Sequence, residues 1–191
     1  MGGKPVAAGK SSFDLIDAKK VLSLIAVKPG SRFLDLACGF GHYSLAIADR
    51  IGEKGLVYAV DLWEEGIDSL NREIAKGGIT NIRPIVADIR NRLPMEERSI
   101  DGCLLATILH DLAKEDRGAA LREAVRLLKP GGMLTIIEFK KIDRGPGPPI
   151  AIRMDEAEIE ALVTPYGFTR VAGDEVGEFN TLLKYERARP R

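Results

Sequence analysis

Apolar residues recur along this chain with two alternating periods, and that alternation predicts the architecture. Phe13, Ile16, Val21, Leu22 and Ile25 fall at helical spacing, and Val27-Lys28-Pro29-Gly30 ends that helix in a turn. A strand-length run, Arg32 to Ala37, leads through a glycine turn into a second helix reaching about Arg50. A strand ending at Asp61 follows, then a helix with Ile67, Leu70 and Ile74 on one face. Lys76-Gly77-Gly78 closes that helix, because glycine tolerates the left-handed conformation of helix ends. Ile82 to Ala87 and Ile100 to Thr107 read as the third and fourth strands. Leu121, Ala124, Val125 and Leu128 keep i, i+3, i+4, i+7 spacing; Lys129-Pro130-Gly131-Gly132 then stops the helix and delivers Met133 to Phe139 as a fifth strand.

Strands that are apolar throughout, separated by amphipathic helices, predict an α/β domain whose parallel sheet is covered on both faces. After Phe139 the rhythm changes. Asp143 to Pro149 (DRGPGPP) is neither helix nor central strand, since its prolines lack donors and its glycines lack restraint. A helix around Asp155 to Val163 and two β-rich stretches, Phe168 to Val171 and Phe179 to Tyr185, complete the pattern; the last two are placed to pair antiparallel at the sheet edge. Residues 1–12 lack periodicity and are expected to be flexible, 13–186 to form one domain, and 187–191 to be a solvated basic tail.

Composition narrows the function. With 191 residues, 45% apolar and 29% charged, the chain can bury a full core. No apolar run nears the ~18 residues of a membrane span, and the start has no signal-type stretch, so a cytoplasmic protein is expected. Lys plus Arg and Asp plus Glu both count 28, and zero net charge weighs against a nucleic-acid partner. Cys38 and Cys103 are too few for a disulfide framework, lack metal-ligand spacing and read as buried thiols; no metal is expected. Monomer and homodimer both suit a domain of this size.

The chemistry concentrates in Phe33-Leu-Asp-Leu-Ala-Cys-Gly-Phe-Gly-His42, a buried strand running into a Gly-x-Gly turn that opens a helix. Such glycines let a backbone approach a ligand and present helix N-terminal N–H groups to it. Asp35 lies inside the strand, where a pyrophosphate would repel it by ~4 kcal/mol at 4 Å and an effective dielectric of 20. A ligand bearing an ammonium and a sulfonium would be attracted. The third glycine of the dinucleotide fingerprint is replaced by Ser44. Both facts turn the site from NAD toward S-adenosylmethionine. Asp61, ending the second strand, is placed to accept from ribose hydroxyls; Asp88, after the third, to accept from an adenine amino group, with Leu62 and Ile89 against the ring. Singly, each acid also reads as surface solvation or helix capping. Together they stand at the C-terminal ends of three consecutive parallel strands, where open α/β sheets bind ligands.

Asp35-Leu-Ala-Cys-Gly-Phe-Gly41, Val60-Asp61-Leu62, Ala87-Asp88-Ile89 and Leu128-Lys-Pro-Gly-Gly-Met-Leu134 give the chain its resemblance to the class I S-adenosylmethionine-dependent methyltransferases. Ala120 to Gly132 with Ile136-Ile-Glu-Phe139 resembles the branch containing the quinone-biosynthesis C-methyltransferases. The resemblance implies a Rossmann-like, doubly wound seven-stranded sheet in the order 3-2-1-4-5-7-6 with the last strand antiparallel. It implies S-adenosylmethionine as cofactor, contacted by Asp35, Ala37, Gly39, Gly41, Asp61, Leu62, Asp88, Ile89 and Ala106, and methyl transfer to a small-molecule acceptor. An NAD(P)-dependent oxidoreductase and a non-catalytic cofactor-binding protein are the alternatives.

In this fold the exit of the fourth strand, here Ala106-Thr-Ile-Leu-His110-Asp111, faces the departing methyl group. His110 reads either as a general base that also touches the acceptor, with Asp111 orienting it, or as a loop histidine without chemistry. His42 is expected near the methionine end of the cofactor. Glu138 points at the same crevice by register, as a catalytic carboxylate or as an edge carboxylate pairing with Lys140 or Lys141. Arg153 is a candidate for holding an acidic acceptor, or pairs with Asp155 or Glu156. The first helix with its N-terminal segment and the Asp143 to Pro149 loop are expected to cover the crevice.

Overall fold

The computed structural model describes residues 9, 11–25 and 27–189. Seven strands form one sheet: β1 Arg32–Leu36, β2 Leu56–Asp61, β3 Ile82–Val86, β4 Ile100–Ala106, β5 Leu128–Phe139, β6 Phe168–Glu175 and β7 Asn180–Arg187. Their spatial order is β3-β2-β1-β4-β5-β7-β6; β7 runs antiparallel to both neighbours and the first five strands are parallel. This is the expected fold. Helices α1 Ala18–Ile25, α2 His42–Ile51, α3 Glu64–Gly77, α4 Lys114–Leu127 and α5 Glu156–Val163 cover it. Among the described residues no helix is long and apolar enough to cross a membrane.

Strand alternation divides the core in two. Leu34 and Leu36 of β1 point to the face where Leu121, Ala124 and Val163 of α4 and α5 pack. Phe33 points to the other, with Val21, Ile25, Ile47 and Leu70 of α1 to α3. Because side chains alternate with period 2, Asp35 shares the face of Phe33, and so meets α2. β1 and β4 are central, which is why Leu34, Leu36, Cys103, Leu104 and Leu105 are fully buried.

Four segments depart from the sequence pattern. The first helix is not continuous from Phe13: Phe13–Leu15 is a single 3₁₀ turn, Ile16 is extended, and α1 starts only at Ala18. A distant partner causes the break, since the Asp17 N–H bonds the Val176 carbonyl at 2.6 Å while the Asp17 carboxylate accepts the Lys20 N–H. β5 begins at Leu128, which already pairs with Ile100; the register then jumps to Gly102↔Met133, so Lys129–Gly132 bulge out of the strand rather than precede it. The late β stretches extend to Glu175 and Arg187. Arg187 therefore belongs to β7, its guanidinium bonding the Leu128 carbonyl, and is not tail; 190–191 and, of the expected flexible segment 1–12, residues 1–8 and 10 lie outside the described residues.

Helix α2 carries the glycine turn on its N-terminus, and its C-terminus is held from across the sheet. The nearly buried Asn81, just before β3, donates its amide to the Ala48 and Gly52 carbonyls at 2.9 and 3.0 Å. Each carbonyl also accepts a backbone N–H, Ala48 from Gly52 and Gly52 from Gly55, so Asn81 adds a second bond to both and ties the helix end to β3. Asn81→Ala is expected to cost about 1–2 kcal/mol, lowering Tm by roughly 2–8 °C in a thermal melt followed by circular dichroism.

Candidate active site

Three left-handed residues shape the turn after β1: Ala37 (φ 63°), Gly39 (φ 55°) and Gly41 (φ 76°). The Cys38 N–H still bonds Val60 of β2, and the Gly41 N–H closes the turn on the Cys38 carbonyl at 2.8 Å. A Cβ on Gly41 would lie 2.6 Å from Leu70, so this glycine is required by packing against α3. A Cβ on Gly39 would meet nothing within 4 Å, so this glycine faces open space at the strand ends. Ala37 holds the same conformation with a Cβ, at a cost of about 1–2 kcal/mol.

Two of the three predicted acids flank this turn. The Asp61 carboxylate accepts the Gly39 N–H on Oδ2 at 2.7 Å and the Trp63 N–H on Oδ1 at 2.8 Å. It thereby ties the end of β2 to the glycine turn, and each oxygen keeps a further lone pair for a ligand hydroxyl. Asp35 is 1% exposed and accepts the Ser44 hydroxyl at 2.6 Å. Burial pushes its carboxyl up to about 7, with the Ser44 hydrogen bond opposing and the nearby Asp61 charge adding to the rise.

Asp88 stands on the same rim, at the exit of β3, but its carboxylate is engaged. Arg90 grips it through Nε and Nη2 and pairs with Asp116 of α4 as well. This pairing holds Asp88 below the usual carboxylate range. Leu62, expected with Ile89 to pack an adenine ring, is 48% exposed and available to one, whereas Ile89 is 6% exposed and belongs to the core cluster of Leu93 and Leu105. Ala106 ends β4, half-buried beside the α1–α3 face.

The residue after Ala106 was not singled out from sequence. Thr107 is left-handed (φ 53°), an uncommon state for a β-branched residue. Its hydroxyl donates to Ser12 at 3.2 Å, and Ser12 lies 3.0 Å from the Tyr43 hydroxyl on α2. Phe13 sets its ring edge-on to Tyr43, centroids 5.0 Å apart. These contacts draw the segment before α1 over the ends of β1 and β4. His42 lies beside Phe13 and Phe40, its Nδ1 buried without a hydrogen-bond partner.

His110 and Glu138 are brought together. His110 Nδ1 lies 2.5 Å from Glu138 Oε2, and the other carboxylate oxygen accepts the Leu109 N–H at 2.9 Å. Both side chains are buried, and Asp111 Oδ2 stands 3.6 Å from His110 Nε2 with no hydrogen bond of its own. Burial alone would lower the imidazole, but Glu138 and then Asp111 outweigh it, and the net effect raises it above its ordinary value. Lys140 and Lys141, the other partners considered for Glu138, pair with Glu175 and Glu158. Arg153 is 6% exposed and bonds backbone carbonyls of Lys140, Ile142, Pro146 and Pro148, its guanidinium 5.7 Å above the Phe139 ring. It clamps the loop after β5 and pairs with neither Asp155 nor Glu156; its N–H groups are committed to the loop, so it is not a free cation for an acceptor.

A methyltransferase domain family matches residues 33–132, and the chain belongs to it. It is 32% identical over 149 residues, 78% of this chain, to the ubiquinone/menaquinone biosynthesis C-methyltransferase UbiE of Bordetella avium (strain 197N). It is also 32% identical over 120 residues, 63% of this chain, to the demethylmenaquinone methyltransferase of Staphylococcus epidermidis. The chain spans about half the length of these curated relatives, 54% and 48%. Among solved structures, a SAM-dependent methyltransferase from Aquifex aeolicus is similar with a TM-score of 0.84 and 29% identity, covering 93% of each chain. A 1,6-didemethyltoxoflavin-N1-methyltransferase from Burkholderia thailandensis, at 23% identity and TM-score 0.73 over 92% of this chain and 80% of its own, shares the fold.

S-adenosylmethionine is the cofactor of this domain, and the residues present fit it. The open side of Gly39, the spare lone pairs of Asp61 and exposed Leu62 suit an adenosine, while two acids beside the turn oppose a pyrophosphate. A cation bound near Asp35 must lower its carboxyl below about 7, so binding releases a proton while the carboxyl is still protonated. S-adenosylhomocysteine affinity is therefore expected to rise with pH from 6 to 8, with proton release seen by calorimetry in buffers of different ionisation enthalpy. Asp35→Asn should flatten that dependence; an unchanged slope would refute a cation beside Asp35.

Proposed function

We propose that this protein transfers the methyl group of S-adenosylmethionine to a small-molecule acceptor, with His110 taking the acceptor's proton. The observation that carries this reading is the buried 2.5 Å contact between His110 Nδ1 and Glu138, set where β4 and β5 end on the rim of the glycine turn. We also infer a single catalytic domain from residue 13 to the end of β7 at Arg187. The zero net charge of the full chain speaks for a small acceptor over a nucleic acid, and the two free thiols suit a reducing cytoplasm.

S-adenosylmethionine supplies an electrophilic methyl group on a sulfonium. The chain's own residues align the acceptor, exclude water and move a proton. With a proton on Nδ1 donated to Glu138, the lone pair of His110 lies on Nε2. Asp111 Oδ2, 3.6 Å away and without a hydrogen bond, then faces another acceptor, an unfavourable pairing in a buried site. Proton uptake at Nε2 turns that nitrogen into a donor toward Asp111 and satisfies it. The imidazolium is thus stabilised by carboxylates on both sides. Thr107 and Ser12 hold the segment before α1 against the same rim, and Arg153 fixes the loop after β5, so both covers of the crevice are anchored.

Labelled S-adenosylmethionine and a panel of small hydroxylated and aminated aromatic acceptors provide the test. His110→Ala should lower kcat by about 10²–10⁴-fold while leaving S-adenosylhomocysteine affinity unchanged; turnover equal to the parent would remove His110 from the chemistry. Glu138 acts through His110, and its signature is a pH profile. A base must be neutral, so kcat/KM rises with pH to a plateau above the raised imidazole value. Glu138→Gln keeps an acceptor for Leu109 but removes the charge, so that limb should move to lower pH as the plateau falls.

A further inference from the structure

The rim opposite the glycine turn carries a cavity that the methyl-transfer reading leaves unused. Its volume is about 340 Å³, within the ~300–1,000 Å³ range of small-molecule sites. Phe33, Gly102 and Met133 are register partners near the N-terminal ends of β1, β4 and β5, and all three line it. Ile25 and Val27, from the end of α1 and the turn after it, add an apolar wall, so Ile25, Val27, Phe33 and Met133 together give it a largely hydrocarbon lining.

Its polar groups are unbalanced. Asp101 is the acid lining it, and it is already matched: Lys129 Nζ lies 2.5 Å from Oδ1 and the Arg32 N–H donates to Oδ2 at 2.8 Å. Lys28 and Lys184 also line the cavity, and neither makes a side-chain hydrogen bond or ion pair among the described residues. Lys184 rises from β7 opposite Thr135 of β5, on the same face as Leu182, and is half-buried, so its ammonium is partly stripped of water with no counter-charge. Burial lowers its ammonium below the usual lysine value, in keeping with that placement.

We propose that this cavity binds a small amphipathic carboxylate, its hydrocarbon body against Phe33 and Met133 and its carboxylate on Lys184 and Lys28. A single negative charge fits better than a phosphate dianion. α1 and α4 both end on this rim, and their C-terminal carbonyls bias it against a second negative charge. No arginine fork and no helix N-terminus is present among the lining residues to meet a phosphate's oxygens. The site is separated from the glycine turn by the length of the strands, and it stands whether or not the His110 assignment holds.

Octanoate is the probe, with octanamide as its uncharged counterpart, titrated into the full chain saturated with S-adenosylhomocysteine and followed by amide chemical shifts. Saturable shifts at Gly102, Gly131 and Gly132, with a Kd of ~1 mM or below, are expected for octanoate. Octanamide and the Lys184→Met protein with octanoate should each bind about tenfold more weakly. Lys28→Met, at an exposed position, should weaken octanoate by a smaller factor and keeps the test decisive if Lys184→Met does not fold. Absent saturation, shifts confined to Gly39 and Gly41, equal binding of octanamide, or affinity untouched by both substitutions would overturn the proposal.

Discussion

The Asp61 carboxylate spans the gap between two strand ends, and the shape of the crevice follows from where it must sit. A turn built on three left-handed residues has few internal hydrogen bonds, and a part-buried N–H within it is costly to leave unpaired. Asp61 satisfies the Gly39 N–H from β2 and the Trp63 N–H from the start of α3 at once, so the turn, β2 and α3 are fixed by one side chain. A charged acceptor holds an N–H more strongly than a neutral one, by roughly a factor of two. The remaining lone pairs are left at a position the backbone itself defines. In the proposed reading, cofactor recognition would use the same atoms that fold the turn.

Parallel strands make this economical. All five parallel strands send their C-terminal ends to one rim, so Asp35, Asp61, Asp88, His110 and Glu138 need only occupy the last positions of their strands, or those just after, to share it. The antiparallel β7 breaks the rule, bringing Asn180 to the ligand rim beside Phe139 and sending Lys184 toward the opposite one.

How much of this was legible in the sequence depended on the range of the interaction involved. The succession of strands and helices, the glycine turn and the acids at strand ends rest on periodicity and on neighbours a few residues apart, which a sequence displays. The spatial order of the strands followed instead from the family resemblance. His110 and Glu138 were each recognisable as candidates, but 28 residues separate them and nothing local announces that they meet. The break before α1 was hidden for the same reason, since a helical spacing from Phe13 to Ile25 is overruled by a hydrogen bond from Asp17 to Val176. Arg153 misled in another way. Its charge suggested an anion, yet the carbonyls it binds converge only after a proline- and glycine-rich loop has folded around it. Thr107 left no trace at all, because its left-handed backbone is imposed by the strand exit and not by its type.

The distribution of buried charge separates what holds the fold from what awaits a ligand. Glu123 and Arg126 are nearly buried and fully matched: Glu123 accepts the Leu93 N–H at 2.7 Å and pairs with Arg126, which in turn bonds the Leu93 and Met95 carbonyls. Such a pair costs desolvation but leaves nothing unsatisfied, and it locks the segment before β4 onto α4. Asp35 and Asp111 are different, one pushed toward its neutral form and the other with a buried oxygen lacking a partner. Both lie on the rim of the glycine turn. A fold optimised for stability alone would have replaced them with apolar groups or paired them, as it did Glu123. In the reading proposed above a positive charge meets each of them, on the cofactor for Asp35 and on the protonated imidazole for Asp111.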